Sequence, residues 1–106
     1  MKIIVSSVNI QKRFTELLLL REQNSDEMEQ SLTDVLIRDG EITFEKYPDL
    51  KPIYVEQLPN NEYGYNGYLD YDAIRAISLM FKHISDRPTT IGFDNDDKLC
   101  ILNLPL

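Results

Sequence analysis

Three features of the sequence contain residue types that could perform chemistry: one cysteine, one histidine and one run of carboxylates. Cys100 lies in an apolar run, and His83 falls on a different predicted element, so the sequence pairs no thiolate with a base. A lone histidine without a cysteine pair also does not make a zinc site. We therefore expect Cys100 to be a small buried hydrophobic residue. No catalytic residue is assigned, and an enzyme is the hypothesis with the least support.

The carboxylate run at residues 94–97 (Asp-Asn-Asp-Asp) offers the clustered oxygens that a calcium ion requires. An EF-hand loop that begins at Asp94 would need glycine at its sixth position and glutamate at its twelfth. Leu99 and Pro105 stand there instead. We therefore expect a solvated hairpin loop, with no metal ion and no cofactor.

Tyrosines and carboxylates are concentrated between residues 56 and 72, where four of the six tyrosines lie within nine residues. Tyrosine supplies large, rigid contact area and is enriched at protein interfaces. Neighbouring carboxylates would complement a surface rich in arginine or lysine. The other interpretation is that these tyrosines cover a sheet edge and pack locally. The predicted partner-binding residues are Glu56, Glu62, Tyr63, Tyr65, Tyr68, Asp70 and Asp72.

Length and charge restrict the class of protein. The chain has 106 residues, which predicts a single domain over residues 1–106. Its 11 basic and 18 acidic residues give a net charge of −7. That balance argues against direct nucleic-acid binding, which depends on phosphate neutralisation, and against an anionic membrane surface. The single cysteine and the absence of a signal-peptide pattern indicate the cytoplasm.

The first predicted elements are a strand at residues 2–6 and a helix at residues 8–22. The strand is rich in β-branched residues, and Ser6-Ser7 offers a helix N-cap. Ile10, Phe14 and Leu17 then recur at helical spacing, which predicts an amphipathic helix.

The strongest local pattern lies between residues 33 and 46. Alternating apolar and polar residues flank Asp39-Gly40, which is the favoured two-residue sequence for a type I′ hairpin turn. We therefore predict a hairpin over residues 35–44.

The second half is predicted to add a short strand at residues 53–55, at the sheet edge because prolines flank it. A turn-rich stretch at residues 60–67 follows. Asp70 is the expected N-cap of a helix at residues 71–86, and a hairpin at residues 89–102 closes the chain. The order β-α-β-β-β-α-β-β predicts a two-layer α+β fold, with two helices on one face of an antiparallel sheet.

This order resembles one domain of a DNA sliding clamp. The similarity covers a strand leading into residues 9–21, the hairpin at 35–44, Gly67-Tyr68-Leu69 leading into the helix at 71–86, and the closing hairpin. The resemblance implies a ring of several such domains, with basic helix residues facing the DNA backbone. Residues 8–22 and residues 71–87, which cover the two predicted helices, each carry one more cation than anion.

Two functional hypotheses follow. The first is a small acidic, non-enzymatic binding protein that neutralises a basic partner, such as a nuclease toxin, by occluding its active site. Proteins of the immunity-protein or antitoxin kind have this character. The alternative is a clamp-like nucleic-acid accessory domain that acts as an oligomer.

Overall fold

The computed structural model describes residues 2–23, 32–57, 64–83 and 85–103. These residues form two helices and seven strands. The elements are β1 (Lys2–Ser6), α1 (Ser7–Gln23), β2 (Thr33–Arg38), β3 (Glu41–Phe44), β4 (Ile53–Gln57), β5 (Tyr65–Leu69), α2 (Tyr71–Met80), β6 (Pro88–Phe93) and β7 (Leu99–Asn103).

The strands form one sheet in the order β5-β2-β3-β4-β1-β6-β7, and all neighbouring strands run antiparallel. The α+β class and the antiparallel sheet are therefore as predicted. The predicted element order lacks one strand, the one at Tyr65–Leu69, because residues 65–67 fall in the stretch predicted to be turn-rich. The structure pairs this segment with β2 along its whole length, from Thr33 opposite Leu69 to Ile37 opposite Tyr65.

The two end strands of the sheet approach each other. Tyr68 on β5 and Lys98 beside β7 form an isolated parallel bridge, and the Tyr68 N–H donates to the Asp97 carbonyl oxygen at 2.8 Å. We call this contact between β5 and β7 the seam. Because the seam nearly closes the sheet into a barrel, the predicted two-layer arrangement is not confirmed.

Both predicted hairpins are present. In the first, Val35 pairs with Phe44, and the turn residues Asp39 and Gly40 have φ values of 53° and 78°. These are the positive values that a type I′ turn requires. In the second, β6 pairs with β7, and Asp97 adopts a φ of 60° in the connecting loop.

The strand β4 lies inside the sheet and not at its edge, so the interpretation of its flanking prolines was wrong. It pairs with β3 on one side and with β1 on the other. Pro52 lies just before β4, where a missing N–H removes no ladder hydrogen bond.

One apolar core joins the sheet to both helices. It receives the inward-facing residues of all seven strands and one stripe of each helix, and α1 and α2 also pack against each other. The apolar positions at helical spacing are buried: Ile10, Phe14 and Leu17 on α1, and Ile74, Ile77 and Phe81 in and after α2. Ile84, which continues the spacing of the second set, lies outside the described residues.

The second helix is shorter than predicted, because residues 85–87 are held elsewhere. Its last residue is Met80, and Phe81 forms the C-cap. The Ser6 hydroxyl donates to the Asp86 carboxylate at 2.6 Å. The Ser7 N–H donates to the Arg87 carbonyl oxygen, and the Arg87 N–H donates to the Ser7 hydroxyl oxygen. This segment therefore runs past the start of α1 in an irregular conformation and leads into β6.

Arg21, near the end of α1, contacts both β2 and α2. The side chain is only 1% exposed, its guanidinium donates to the Thr33 hydroxyl, and it lies 5.8 Å from the centre of the Tyr71 ring. This cation therefore contributes little to the solvent-facing charge of α1.

Candidate protein-binding site

The structure distributes the predicted partner-binding residues over several elements. Tyr65 and Tyr68 share β5, whereas Glu56 is exposed on β4. Since β5 and β4 are three strands apart in the sheet, Glu56 lies about 14 Å away across the sheet. It is also displaced along the strands, because it lies two residues beyond Tyr54, which pairs with Glu41. Glu62 and Tyr63 lie outside the described residues.

Tyr65 faces the seam and makes contacts within the fold. Its ring centre lies 4.6 Å from that of Phe93, and its hydroxyl donates to the Asp97 carboxylate. That hydrogen bond, partial burial and the negative charges of Asp97 and Asp94 raise the pKa of Tyr65. Tyr65 therefore supports the structural interpretation of the tyrosine cluster.

Asp70 is the N-cap of α2, as predicted. Its backbone is extended, and its carboxylate accepts the N–H of Ala73 at 2.7 Å. Asp72 is exposed in the first turn of the same helix, where a negative charge interacts favourably with the helix dipole. The capping role occupies one carboxylate oxygen of Asp70.

Tyr68 faces the opposite side of β5 from the core and is 37% exposed. It stands directly opposite Asp34 in the pairing of β5 with β2. Because the Tyr68 N–H points away from β2, towards Asp97, the two residues form a non-hydrogen-bonded pair. Side chains in such pairs are close, with Cα atoms about 4.5 Å apart.

The outer face of β5, β2 and β3 is arranged in rows that the strand register defines. One row contains Tyr68, Asp34 and Glu45, since the Glu45 N–H donates to the Asp34 carbonyl oxygen at 3.4 Å. The next row is Asn66, Leu36 and Thr43. The third row pairs Arg38 with Glu41.

These rows enclose a shallow cavity of about 490 Å³, which we call the sheet-face depression. Its lining residues are Asp34, Val35, Leu36, Arg38, Thr43, Glu45, Asn66 and Tyr68. Leu36 is a half-buried apolar residue at the centre of an otherwise polar row.

Of the residues that line the sheet-face depression, Tyr68 is the one that the sequence predicts to bind a partner; Asp34, Leu36 and Glu45 are not among the predicted residues. One signal was visible: Leu36 interrupts the polar positions of an alternating strand. The neighbours of Leu36 were not visible, because β5 was not recognised as a strand and its register with β2 depends on long-range pairing.

The other chemical candidates lie apart from this surface. The Asp94 carboxylate accepts the backbone N–H groups of Asp96 and Lys98 at 2.8 and 3.0 Å, so it stabilises the loop between β6 and β7. Cys100 is half-buried on β7, and His83 is exposed beyond α2. Within the described ranges, no three His, Cys, Asp or Glu residues are grouped closely enough to hold a metal ion.

Among the described residues, no helix has the length and apolar character needed to cross a membrane.

Comparisons with protein-family models, with curated proteins and with solved structures each found no match to this chain. The resemblance to a sliding-clamp domain stays a prediction.

Proposed function

We propose that this chain is a small acidic, non-enzymatic binding protein of the cytoplasm that neutralises a basic protein partner. The outer face of β5, β2 and β3 is the contact surface, and binding occludes the partner's active site. A nuclease toxin is the kind of partner that fits, because a cleft that binds nucleic acid is lined with cations. The observation that carries the proposal is the sheet-face depression, which combines an exposed tyrosine, a half-buried leucine and two carboxylates.

The charge distribution supports this choice of surface. Residues 33–57, which form β2 to β4, hold six carboxylates and three cations. The two helices together hold four cations and three carboxylates, and one of those cations is the buried Arg21. The negative potential is therefore stronger on the sheet side, and a basic partner would be steered towards it.

The composition of the surface also supports protein binding. Tyr68 and Tyr54 are 37% and 62% exposed on the outer side of the sheet. Exposed tyrosines are typical of the central contacts of protein interfaces, and the half-buried Leu36 adds apolar area beside Tyr68. Carboxylates around them would pair with the partner's cations and accelerate association.

The test begins with affinity capture on the immobilised chain, followed by purification of the captured partner. The double variant Asp34→Lys/Glu45→Lys should slow association with this partner at least tenfold, and the effect should shrink as salt rises. A saturating amount of the wild-type chain should abolish the partner's activity.

A matched control makes the same charge change on α1. The variant Glu16→Lys/Glu22→Lys alters two exposed residues of α1, and we expect association within a factor of about two to three of wild type. An acidic partner, a partner that stays active when saturated, or equal effects of the two double variants would contradict the proposal. A larger effect of Asp72→Lys than of the sheet double variant would place the surface at the start of α2.

A further inference from the structure

We propose that the sheet-face depression binds one arginine side chain of the partner. This inference rests on the proposed function and specifies which group the surface recognises. The volume of about 490 Å³ lies in the lower half of the range of ligand pockets, roughly 300–1,000 Å³. Such a space suits one long side chain with some water better than a folded element.

The apolar part of the depression fits the arginine stem. Leu36 forms its centre, and the Tyr68 ring stands on the neighbouring strand. Long cationic side chains bury their methylene groups on apolar surface while the charged end stays polar. Tyrosine adds a ring on which a guanidinium can stack.

The charged part of the depression fits the guanidinium. Asp34 and Glu45 lie in the same row as Tyr68, on adjacent strands about 4.8 Å apart. Two carboxylates at this spacing can accept the N–H fork of a guanidinium, whereas an ammonium group offers only a point charge. Arginine is therefore favoured over lysine.

The rows also set the direction in which the side chain enters. The row that contains Arg38 lies on the far side of the neutral row, about 14 Å from the row of Asp34 and Glu45. Arg38 forms an ion pair with Asp39 at 4.0 Å and stands opposite Glu41. The row of Asp34 and Glu45 instead holds two carboxylates and no cation, so the guanidinium is directed towards it. The same carboxylates disfavour a phosphate group.

A titration with short blocked peptides tests this directly. Acetyl-Gly-Arg-Gly-amide is added to the ¹⁵N-labelled chain, and backbone amide shifts are followed by NMR. We expect millimolar binding, with the largest shifts at Asp34, Leu36 and Asn66. The peptide with citrulline, which has the same shape without the charge, should bind at least tenfold more weakly, and the lysine peptide should be intermediate.

Variants then locate the contacts. Asp34→Asn and Glu45→Gln should each weaken arginine binding about threefold to tenfold, while the control Glu16→Gln/Glu22→Gln should leave it unchanged. Tyr68→Phe keeps the ring and should retain binding, whereas Tyr68→Ala should not.

Equal binding of the lysine and arginine peptides, or shifts confined to other residues, would overturn the inference. So would the same shifts with Mg²⁺ alone. Shifts that depend on protein concentration would also overturn it, because they would indicate binding of a second copy of the chain. If the peptides do not bind but Asp34→Lys/Glu45→Lys impairs partner binding, the arginine site is wrong and the proposed function stands. If the peptide binds but the captured partner is not basic, the arginine site stands and the proposed function is wrong.

Discussion

Gly67 on β5 and Phe93 on β6 are packed so closely that a side chain at position 67 would overlap the phenyl ring. A Cβ atom there would lie 2.1 Å from Cε1 of Phe93 and 2.9 Å from the Asp97 carbonyl oxygen. Glycine within a strand often marks such a close approach. Here the approach brings β5, at one end of the sheet, against β6 and the loop that leads into β7 at the other end.

Gly67→Ala should therefore lower the free energy of unfolding by about 3 kcal/mol, the upper end of the usual cost of overpacking. Gly64→Ala is the matched control, because the atom nearest to a Cβ at position 64 would be 3.5 Å away. Urea unfolding of both variants measures the difference. Adding Phe93→Leu to Gly67→Ala should recover part of the loss, and equal stability of the two alanine variants would contradict the packing.

The same contact explains why β5 was missed from the sequence. The segment Tyr65–Leu69 contains Asn66 and Gly67, residues that are common in turns, so its local composition favours a turn. Its strand conformation comes from pairing with β2 and from the seam, and neither is encoded locally. The hairpin at Asp39-Gly40 is the opposite case, because the turn residues and both strands are adjacent in sequence.

The candidate site, like the fold, was predictable only where it depends on residues close together in the sequence. The position of Asp70 before a helical pattern predicted its capping role, which the structure confirms. The concentration of tyrosines and carboxylates made Tyr68 a candidate, and its role in binding stays a prediction. Asp34 and Glu45 come from two other strands, and only the register of the sheet brings them beside Tyr68.

The Asp39-Gly40 turn gives a second prediction. The Cβ of a residue at position 40 would meet no atom within 4 Å, so the cost of substitution is the positive φ of 78° alone. Gly40→Val should lower stability by about 1–2 kcal/mol, because a β-branched residue resists this conformation. Gly40→Asn should cost less, since asparagine tolerates it better. Thermal melting compares the two, and equal melting temperatures would contradict the backbone explanation.

Tyr65 and Asp97 give a pH-dependent prediction. The pKa of Tyr65 is raised in the folded state above its usual value of about 10. The protonated hydroxyl therefore stabilises the fold below pH 10, and this contribution is lost as the pH rises through the folded pKa. Tyr65→Phe should cost about 1 kcal/mol at pH 8 through the lost hydrogen bond and should show a smaller alkaline loss.

Urea midpoints measured from pH 8 to pH 11 test the Tyr65 prediction. Tyr54→Phe, at an exposed position on β4, should keep the wild-type profile. Asp97→Asn should lower the pKa of Tyr65, which tyrosinate absorbance follows. A Tyr65→Phe profile parallel to wild type over the whole range would argue against the Tyr65–Asp97 contact.

Two substitutions of Asp70 distinguish its role as the N-cap of α2 from the role of its negative charge. Asp70→Ala should lower stability by about 0.5–2 kcal/mol, because the Ala73 N–H loses its acceptor. Asp70→Asn still caps and should keep nearly all of the stability. Calorimetry on the two variants checks this. If Asp70→Asn also weakens partner binding, its charge belongs to the interface; a melting temperature for Asp70→Asn as low as that of Asp70→Ala would contradict the cap.

The sliding-clamp alternative is tested with DNA. At about 0.15 M salt we expect no submicromolar binding of duplex DNA, because affinity for DNA depends on cation–phosphate contacts and the chain carries −7. Fluorescence anisotropy with a labelled duplex measures this. Submicromolar binding that Arg75→Glu and Lys82→Glu abolish would favour the clamp-like function over the one proposed here.

The capping of α1 has a consequence for the order in which the protein assembles. The Ser6 hydroxyl that receives the Asn9 N–H is itself bonded to Asp86, a residue 80 positions later. The strand β1 is likewise completed by two partners, β4 and β6, that follow it at long range. Contacts so distant in sequence slow folding, since a large loop must close before they stabilise anything. Each hairpin closes only a short loop and can form early in folding. The strand β1 and the start of α1 are completed only when residues 53–57 and 86–92 have come into place.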